Sequence, residues 1–203
     1  MPGSIKIDDG SGNYTILTNA GSLGSDKTLT IPNETATLAT TNGITNAEMW
    51  ILTADFTGDA APIASNWSRH TNATKGAGYF GSAITESSGI FTFPSTGYWY
   101  IIFNHFFRSE NGYDVDYSTA RIQVTLDNSS YTLAAESIGH TNDTAQTSNN
   151  YSTTSTHYIF DVTDTSLCKV RFDVSTSNTS RNITEGDTTR FFTGLLFQRL
   201  GDT

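Results

Sequence analysis

Glu110, Asp114 and Asp116 bring three carboxylates into one short stretch of the chain. Hard oxygen ligands at that density suit Ca²⁺; the EF-hand spacing is absent, and a solvated acidic loop is the alternative. The four histidines, His70, His105, His140 and His157, form no His-Glu-x-x-His motif and no close ligand pair. His105 falls near the end of an apolar stretch. In a threefold assembly it would lie near its symmetry mates and hold a transition metal or an anion; a hydrogen-bonded interface histidine is the plainer alternative. Cys168 is the single cysteine, so no intrachain disulfide forms. It shares its parity with Val170, Phe172 and Val174 and reads as an inert buried thiol. There is no Gly-x-Ser-x-Gly, no phosphate-binding loop, no nucleophile–base pair and no glycosidase context for the paired carboxylates. The expectation is a protein that is not an enzyme, with Ca²⁺ as the one candidate cofactor.

A second set of residues suits recognition. Trp67 and His70 lie in one polar connecting segment, Tyr113, Asp114, Asp116 and Tyr117 in another, and Asn142, Asp143, Asn149, Asn150 and Tyr151 in a third. Aromatic rings stack on the apolar C–H faces of sugars while carboxylates and amides pair with hydroxyls. Ordinary solvated loops share this composition.

The elements that must hold these groups are strands. Charged residues are only 15% of the 203, aromatics reach 12%, and strand formers alternate with clusters of Gly, Asn, Asp and Ser. That pattern points to an all-β chain. The net charge of −9 disfavours nucleic acid and anionic membrane surfaces as partners. No apolar run is long enough to span a bilayer, so no membrane insertion is expected. Met1-Pro-Gly-Ser leads into polar sequence, so no signal peptide is expected.

Residues 1–46 contain no Trp or Phe and only short β-like pieces: Ile5–Ile7, Tyr14–Leu17, Thr28–Ile31 and Ala36–Leu38. With so little apolar surface this segment does not fold alone; it is disordered, docks, or winds with copies of itself. Residues 47–203 read as a separate head. Eight strands are expected there, at 49–56, 89–94, 97–107, 118–127, 130–138, 154–163, 166–175 and 189–200, with a short extra strand near Tyr79-Phe80. Four of them alternate: Phe91 and Phe93; Ala120, Ile122, Val124 and Leu126; Tyr131, Leu133 and Ala135; Cys168, Val170, Phe172 and Val174. These have one dry face each. The other four, 49–56, 97–107, 154–163 and 189–200, are apolar on both parities, as in Tyr98-Trp99-Tyr100-Ile101-Ile102-Phe103.

This division matches an eight-strand jelly roll in which the two-sided strands form one sheet and the one-sided strands the other. The sheets pack face to face, which leaves the second face of the two-sided sheet to be covered by another subunit. The expected interface residues are Trp50, Tyr100, Ile101, Phe103, His105, Tyr158, Phe192 and Leu196.

The stretch Gly89-Ile90-Phe91-Thr92-Phe93-Pro94-Ser95-Thr96-Gly97-Tyr98-Trp99-Tyr100 resembles the signature of the C1q/TNF-like jelly roll, and Phe192-Thr193-Gly194-Leu195-Leu196-Phe197 resembles the closing strand of C1q heads. The likeness covers about residues 49–200. It implies an eight-to-ten-strand sandwich that assembles as a homotrimer through the two-sided sheet. Thr28 to Thr40 is similar to a segment of bacteriophage tail-fibre and other virion appendage proteins, where it precedes a C-terminal knob. That implies a short β-rich anchor or shaft that contacts other virion proteins, and a location on the virion surface. A secreted C1q-like binding protein is the alternative, though no collagen repeat is present.

Jelly-roll connectivity puts the long polar segments Thr57–Gly78, Arg108–Tyr117, Gly139–Tyr151 and Thr176–Thr188 at one end. The short turns at 94–96, 128–129 and 164–165 lie at the other, where the N-terminal segment enters. The long segments are expected to crown the distal end and to read a host-surface glycan or protein. A virion protein whose knob is only a trimerisation clamp is the alternative.

Overall fold

The computed structural model describes residues 4–8, 11, 14–18, 44–110, 112–142 and 148–203. The chain divides into two compact units, Met1–Thr40 and Thr41–Thr203. The first holds an antiparallel hairpin of β1 (Ser4–Asp8) and β2 (Tyr14–Thr18), running from Ser4 opposite Thr18 to Asp8 opposite Tyr14. The β-like pieces at 28–31 and 36–38 lie outside the described residues, as does Asp143.

In the second unit, no α-helix occurs among the described residues; the strands form two sheets. The larger sheet, of seven strands, includes β3 (Asn46–Leu52), β4 (Phe56–Thr57) and β5 (Trp67–Arg69). The smaller, of five, includes β6 (Thr85–Ser87) and β7 (Ile90–Thr92). These two are joined through Ser88 and Gly89, both at positive φ, as a two-residue hairpin turn requires.

The larger sheet is organised on β8 (Gly97–Ser109). Later in the chain come β9 (Val115–Thr125), β10 (Thr132–Thr141), β11 (Asn150–Val162), β12 (Lys169–Asp173), β13 (Asn182–Thr184) and β14 (Gly194–Gly201). β11 pairs with β8 along its whole length, Gly97 opposite Val162 through Ser109 opposite Asn150. The other side of β8 is shared, with β14 on Tyr98–Asn104 and β13 on Phe107–Ser109. Thr193 fills the gap between them. Its hydroxyl accepts from the Phe106 N–H and donates to the Phe106 carbonyl, which also takes the Glu185 N–H, so the backbone stays satisfied where partners change. Beyond β14 lie β3 and then β5, while β4 pairs with β13. The second sheet runs β10-β9-β12-β7-β6.

The expected sheet membership holds. The four strands apolar on both parities are β3, β14, β8 and β11, hydrogen-bonded neighbours in one sheet; the one-sided strands are β7, β12, β9 and β10 in the other. The head is a jelly-roll sandwich. Trp99, Ile101 and Phe103 of β8 and Leu195 and Phe197 of β14 meet Phe91, Ile122, Val170 and Phe172 across the interior. Phe91 lies at the centre, with ring centroids 5.3 Å from Trp50, 5.4 Å from Phe172 and 5.5 Å from Phe197. Cys168 is buried, as its parity suggests. One expected face differs: a register shift between Leu133 and Ala135 turns Leu133 outward while Ala135 packs against the core.

Candidate functional site

The parity of β8 decides which of its side chains face the interior and which point outward. Trp99, Ile101, Phe103, His105 and Phe107 are fully buried between the sheets; Tyr98, Tyr100, Ile102, Asn104, Phe106 and Arg108 point the other way. Ile101, Phe103 and His105, expected at an interface, therefore belong to the interior. Trp50 is corrected likewise: it is in the core and its indole N–H donates to Glu48. Tyr158 shares the parity of buried Thr156 and Phe160 and packs on the core edge. Tyr100 and Leu196 lie on the outward parity, and Phe192 packs on the outward-facing Phe106. The sequence could not rank the two sides because both parities are apolar.

The outward face has a regular layout. Met49, Leu196, Ile102 and His157 stand opposite one another across β3, β14, β8 and β11; the next row is Ala47, Gln198, Tyr100 and Ile159. Toward the distal end the Phe106 ring lies 4.9 Å from Phe192 and stacks on Tyr151 at 5.8 Å. Tyr151, expected in a rim loop, is thus part of the sheet face. Met49, Ile102 and Phe106 were not singled out from the sequence, and the opposite parity to Ile101 was the only signal that marked Ile102 and Phe106.

The segment between β3 and β7 does not crown the distal end as expected. It runs down the side of the sandwich as a strap. Ala60 bridges Val174, Ile63 N–H donates to the Phe172 carbonyl, β5 pairs with β3, and Phe80 bridges Ala47 where the extra strand was expected. Trp67 and His70 are therefore structural. The Trp67 indole is buried and donates to the Ile63 carbonyl, and the His70 N–H donates to Met49. The strap is fastened by Glu48, whose buried carboxylate takes Arg69 Nε at 2.6 Å and the Ile84 N–H at 2.6 Å. Arg69 in turn lies 4.7 Å over the Tyr79 ring. Exposed Tyr79 and Phe80 flank a groove of about 360 Å³ lined by Ala47, Met49 and Leu196, continuous with the outward face.

At the distal end β8 and β9 are longer than expected, so Arg108, Asp116 and Tyr117 stand on strands and the connection shrinks to 110–114. Tyr113 and Tyr117 are each 40% exposed. Arg181 lies 4.4 Å over the Tyr113 ring and pairs with Glu110, and Asn178 Nδ2 donates to the Asp114 carbonyl. The Ser177 N–H donates to Tyr117. These contacts lock Glu110 and residues 113–117 to residues 177–181, so both tyrosines are presented on a braced rim. Asn142 is exposed and Asn149 half-buried at the same end. Arg181 and Asn178 were not found from the sequence; they lie in an irregular segment with no pattern to mark them. The calcium triad is not assembled. Glu110 is turned to Arg181, and no three metal-ligating side chains converge among the described residues.

Below the rim the interior becomes polar. His105 is stacked 4.9 Å from Phe107, its Nε2 lies 3.0 Å from Thr184 Oγ1, and Asn182 Nδ2 donates to Ser118. Burial lowers the His105 pKa from 6.5 to about 3, so the ring is neutral at physiological pH. In this position it lies between the two sheets of its own chain and not on an outer face.

No protein-family model matches the chain, and no curated protein matches it. Its fold is similar to that of solved TNF-type structures. A crystal structure of murine APRIL at pH 5.0 aligns with a TM-score of 0.51 at 8% identity, over 76% of this chain and 98% of that one. Eiger TNF from S. frugiperda aligns with a TM-score of 0.51 at 11% identity, over 80% of this chain and 96% of that one. At such identities the likeness establishes a fold, a TNF-like jelly roll.

Proposed function

We propose that the protein is a structural appendage of a bacteriophage virion, a fibre, spike or head decoration, whose head forms a homotrimer and binds a host-surface glycan through its distal rim. The observation that carries this reading is the outward face of the larger sheet. Met49, Leu196, Tyr100, Ile102, Phe106 and Phe192 form an apolar band between Asp161 at one end and Arg108 at the other. A band of this kind marks an association surface. Exposed apolar side chains also occur away from that band: Ile138, 62% exposed, and Leu133 lie on the outer surface of the second sheet, and Leu126 lies just past the end of β9. Two different patches on one subunit join copies head to tail, and a threefold rotation closes such a contact into a ring.

Strand β3 begins and β14 ends at the end of the head that carries the short turns, and Arg199 ties Thr96 to Thr45 there. The rim with Tyr113, Tyr117, Asp114, Asp116, Asn142 and Asn149 lies at the opposite end of the head from Thr45. Residues 1–46 are assigned to contacts with other virion proteins, on the strength of the resemblance of residues 28–40. Three rims on one assembly let weak glycan contacts add by avidity. One observation favours the purely structural alternative: Tyr113 and Glu110 are already engaged by Arg181. A glycan array probed with the intact protein separates the two. Selective binding lost in Tyr117→Ala supports the receptor reading; an array blank at micromolar protein leaves the head as a trimerisation clamp.

A further inference from the structure

We propose that the glycan read by the distal rim is an uncharged one, and that the head rejects glycans bearing carboxylate, phosphate or sulfate. The inference rests on the receptor reading above and names the class of ligand that the rim accepts.

An acidic sugar is held by arginine or lysine, whose N–H groups match the anion in charge and geometry. This head has no arginine to spare. All seven arginines of the chain lie in it, and each is paired with one of its own carboxylates. At the distal end Arg108 is paired with Glu185 and Arg181 with Glu110. One face of the Arg181 guanidinium is also taken, by the Tyr113 ring at 4.4 Å. The two lysines of the head are turned to backbone carbonyls, Lys75 to Thr189 and Lys169 to Thr165.

Acids are in excess at the rim. Asp114 and Asp116 are exposed on either side of buried Val115. Asp59 is brought to the same end by the Thr176 N–H, which donates to its Oδ1 at 2.8 Å. An anionic sugar approaching Tyr117 therefore meets a carboxylate on the preceding residue and no arginine without a counter-ion. It takes Arg181 only by displacing Glu110. That pair is half-exposed, at 42% and 37% of the two side chains, so its own strength does not block the exchange. What opposes the exchange is the like charge left beside the ligand, and the net charge of −9 extends that repulsion beyond the rim. A neutral sugar meets none of it. Its hydroxyls donate to the carboxylates, which only accept, and its C–H faces stack on the Tyr117 ring, 40% exposed.

The test is binding of the intact protein to an array of oligosaccharides in matched pairs. The members of a pair differ by glucuronic acid in place of one glucose, so a carboxylate replaces a CH2OH group and nothing else changes. At 0.05 M NaCl the neutral member is expected to bind about tenfold more tightly. The gap should close to within about twofold at 0.5 M, where the screening length falls to about 4 Å. Glu110→Gln releases Arg181, and Asp116→Asn removes a charge beside Tyr117. Each should narrow the gap at low salt, with far-UV circular dichroism confirming that the strands are retained. Equal or tighter binding of the acidic members by the wild type overturns this inference and leaves the glycan reading intact. So does a neutral preference that persists unchanged at 0.5 M salt and in both variants, since it would arise from shape. Binding of neither member of any pair at micromolar protein overturns the receptor reading and this inference with it.

Discussion

Glu48 and His105 show how single buried groups constrain the head. Glu48 is buried at the edge of the larger sheet, where its carboxylate meets Arg69, the Trp50 indole and the Ile84 amide. Glu48→Gln leaves Arg69 without its counter-charge and costs about 3 kcal/mol, read as a lowered denaturation midpoint with the slope unchanged. Residues 67–84 should then be clipped sooner by trypsin at Lys75. His105 acts through pH. Its folded pKa of about 3 lies below its unfolded value of 6.5, so the unfolded chain binds the proton first as pH falls. Stability is fully present above about pH 6.5 and declines by about 1.4 kcal/mol per pH unit until pH 3. Denaturant melts of His105→Gln should lack that component of the acid slope; a slope identical to wild type would place the titration elsewhere. Neither role was visible in the sequence. Glu48 sits among apolar residues of mixed parity, and His105 reads equally well inside or outside a strand that is apolar on both sides.

At the scale of elements, β8 gives the sharpest contrast. Ile101→Asp puts a carboxylate between the sheets, where it has no partner, and the penalty is comparable to the 5–15 kcal/mol stability of a whole domain. That variant should not fold. Ile102→Asp, one residue along, faces outward and should fold with a normal strand spectrum yet sediment as a monomer. If both fold alike, the assigned parity of β8 is wrong. The same strand shows what the sequence made legible. Sheet membership followed from counting wet and dry parities, because a strand with two dry faces needs cover on both. Which parity faced inward did not follow, because Ile101 and Ile102 are the same residue type. The strap was hidden for another reason. β4, β5 and β6 are two or three residues long, and β4 and β5 pair with strands distant in sequence, so no local periodicity announces them. Their fastening depends on Gly89, at φ 81°, where a Cβ would lie 2.5 Å from the Ile63 carbonyl oxygen. Gly89→Ala should therefore separate the β6–β7 turn from the strap and lower the thermal midpoint by several degrees.

For the whole molecule, assembly and recognition are separable, and that separation makes the proposed function testable. The band sits on one face of the larger sheet and the rim at the distal end, with Tyr117 braced by Ser177 rather than by any residue of the band. Association should yield a species near three times 22.0 kDa and bury more than about 1,000 Å² per contact. Tyr117→Ala should sediment as the wild type but lose affinity for a single glycan chain by about tenfold, the share expected of one stacking contact. Ile102→Asp should do the reverse. Its rim is untouched, so binding to a monovalent glycan in solution stays as in the wild type. Retention on a dense glycan surface should drop about a hundredfold, because three linked sites have become one. If the monomeric variant holds such a surface as firmly as the trimer, the head does not work by avidity, and the band serves only to hold three chains together.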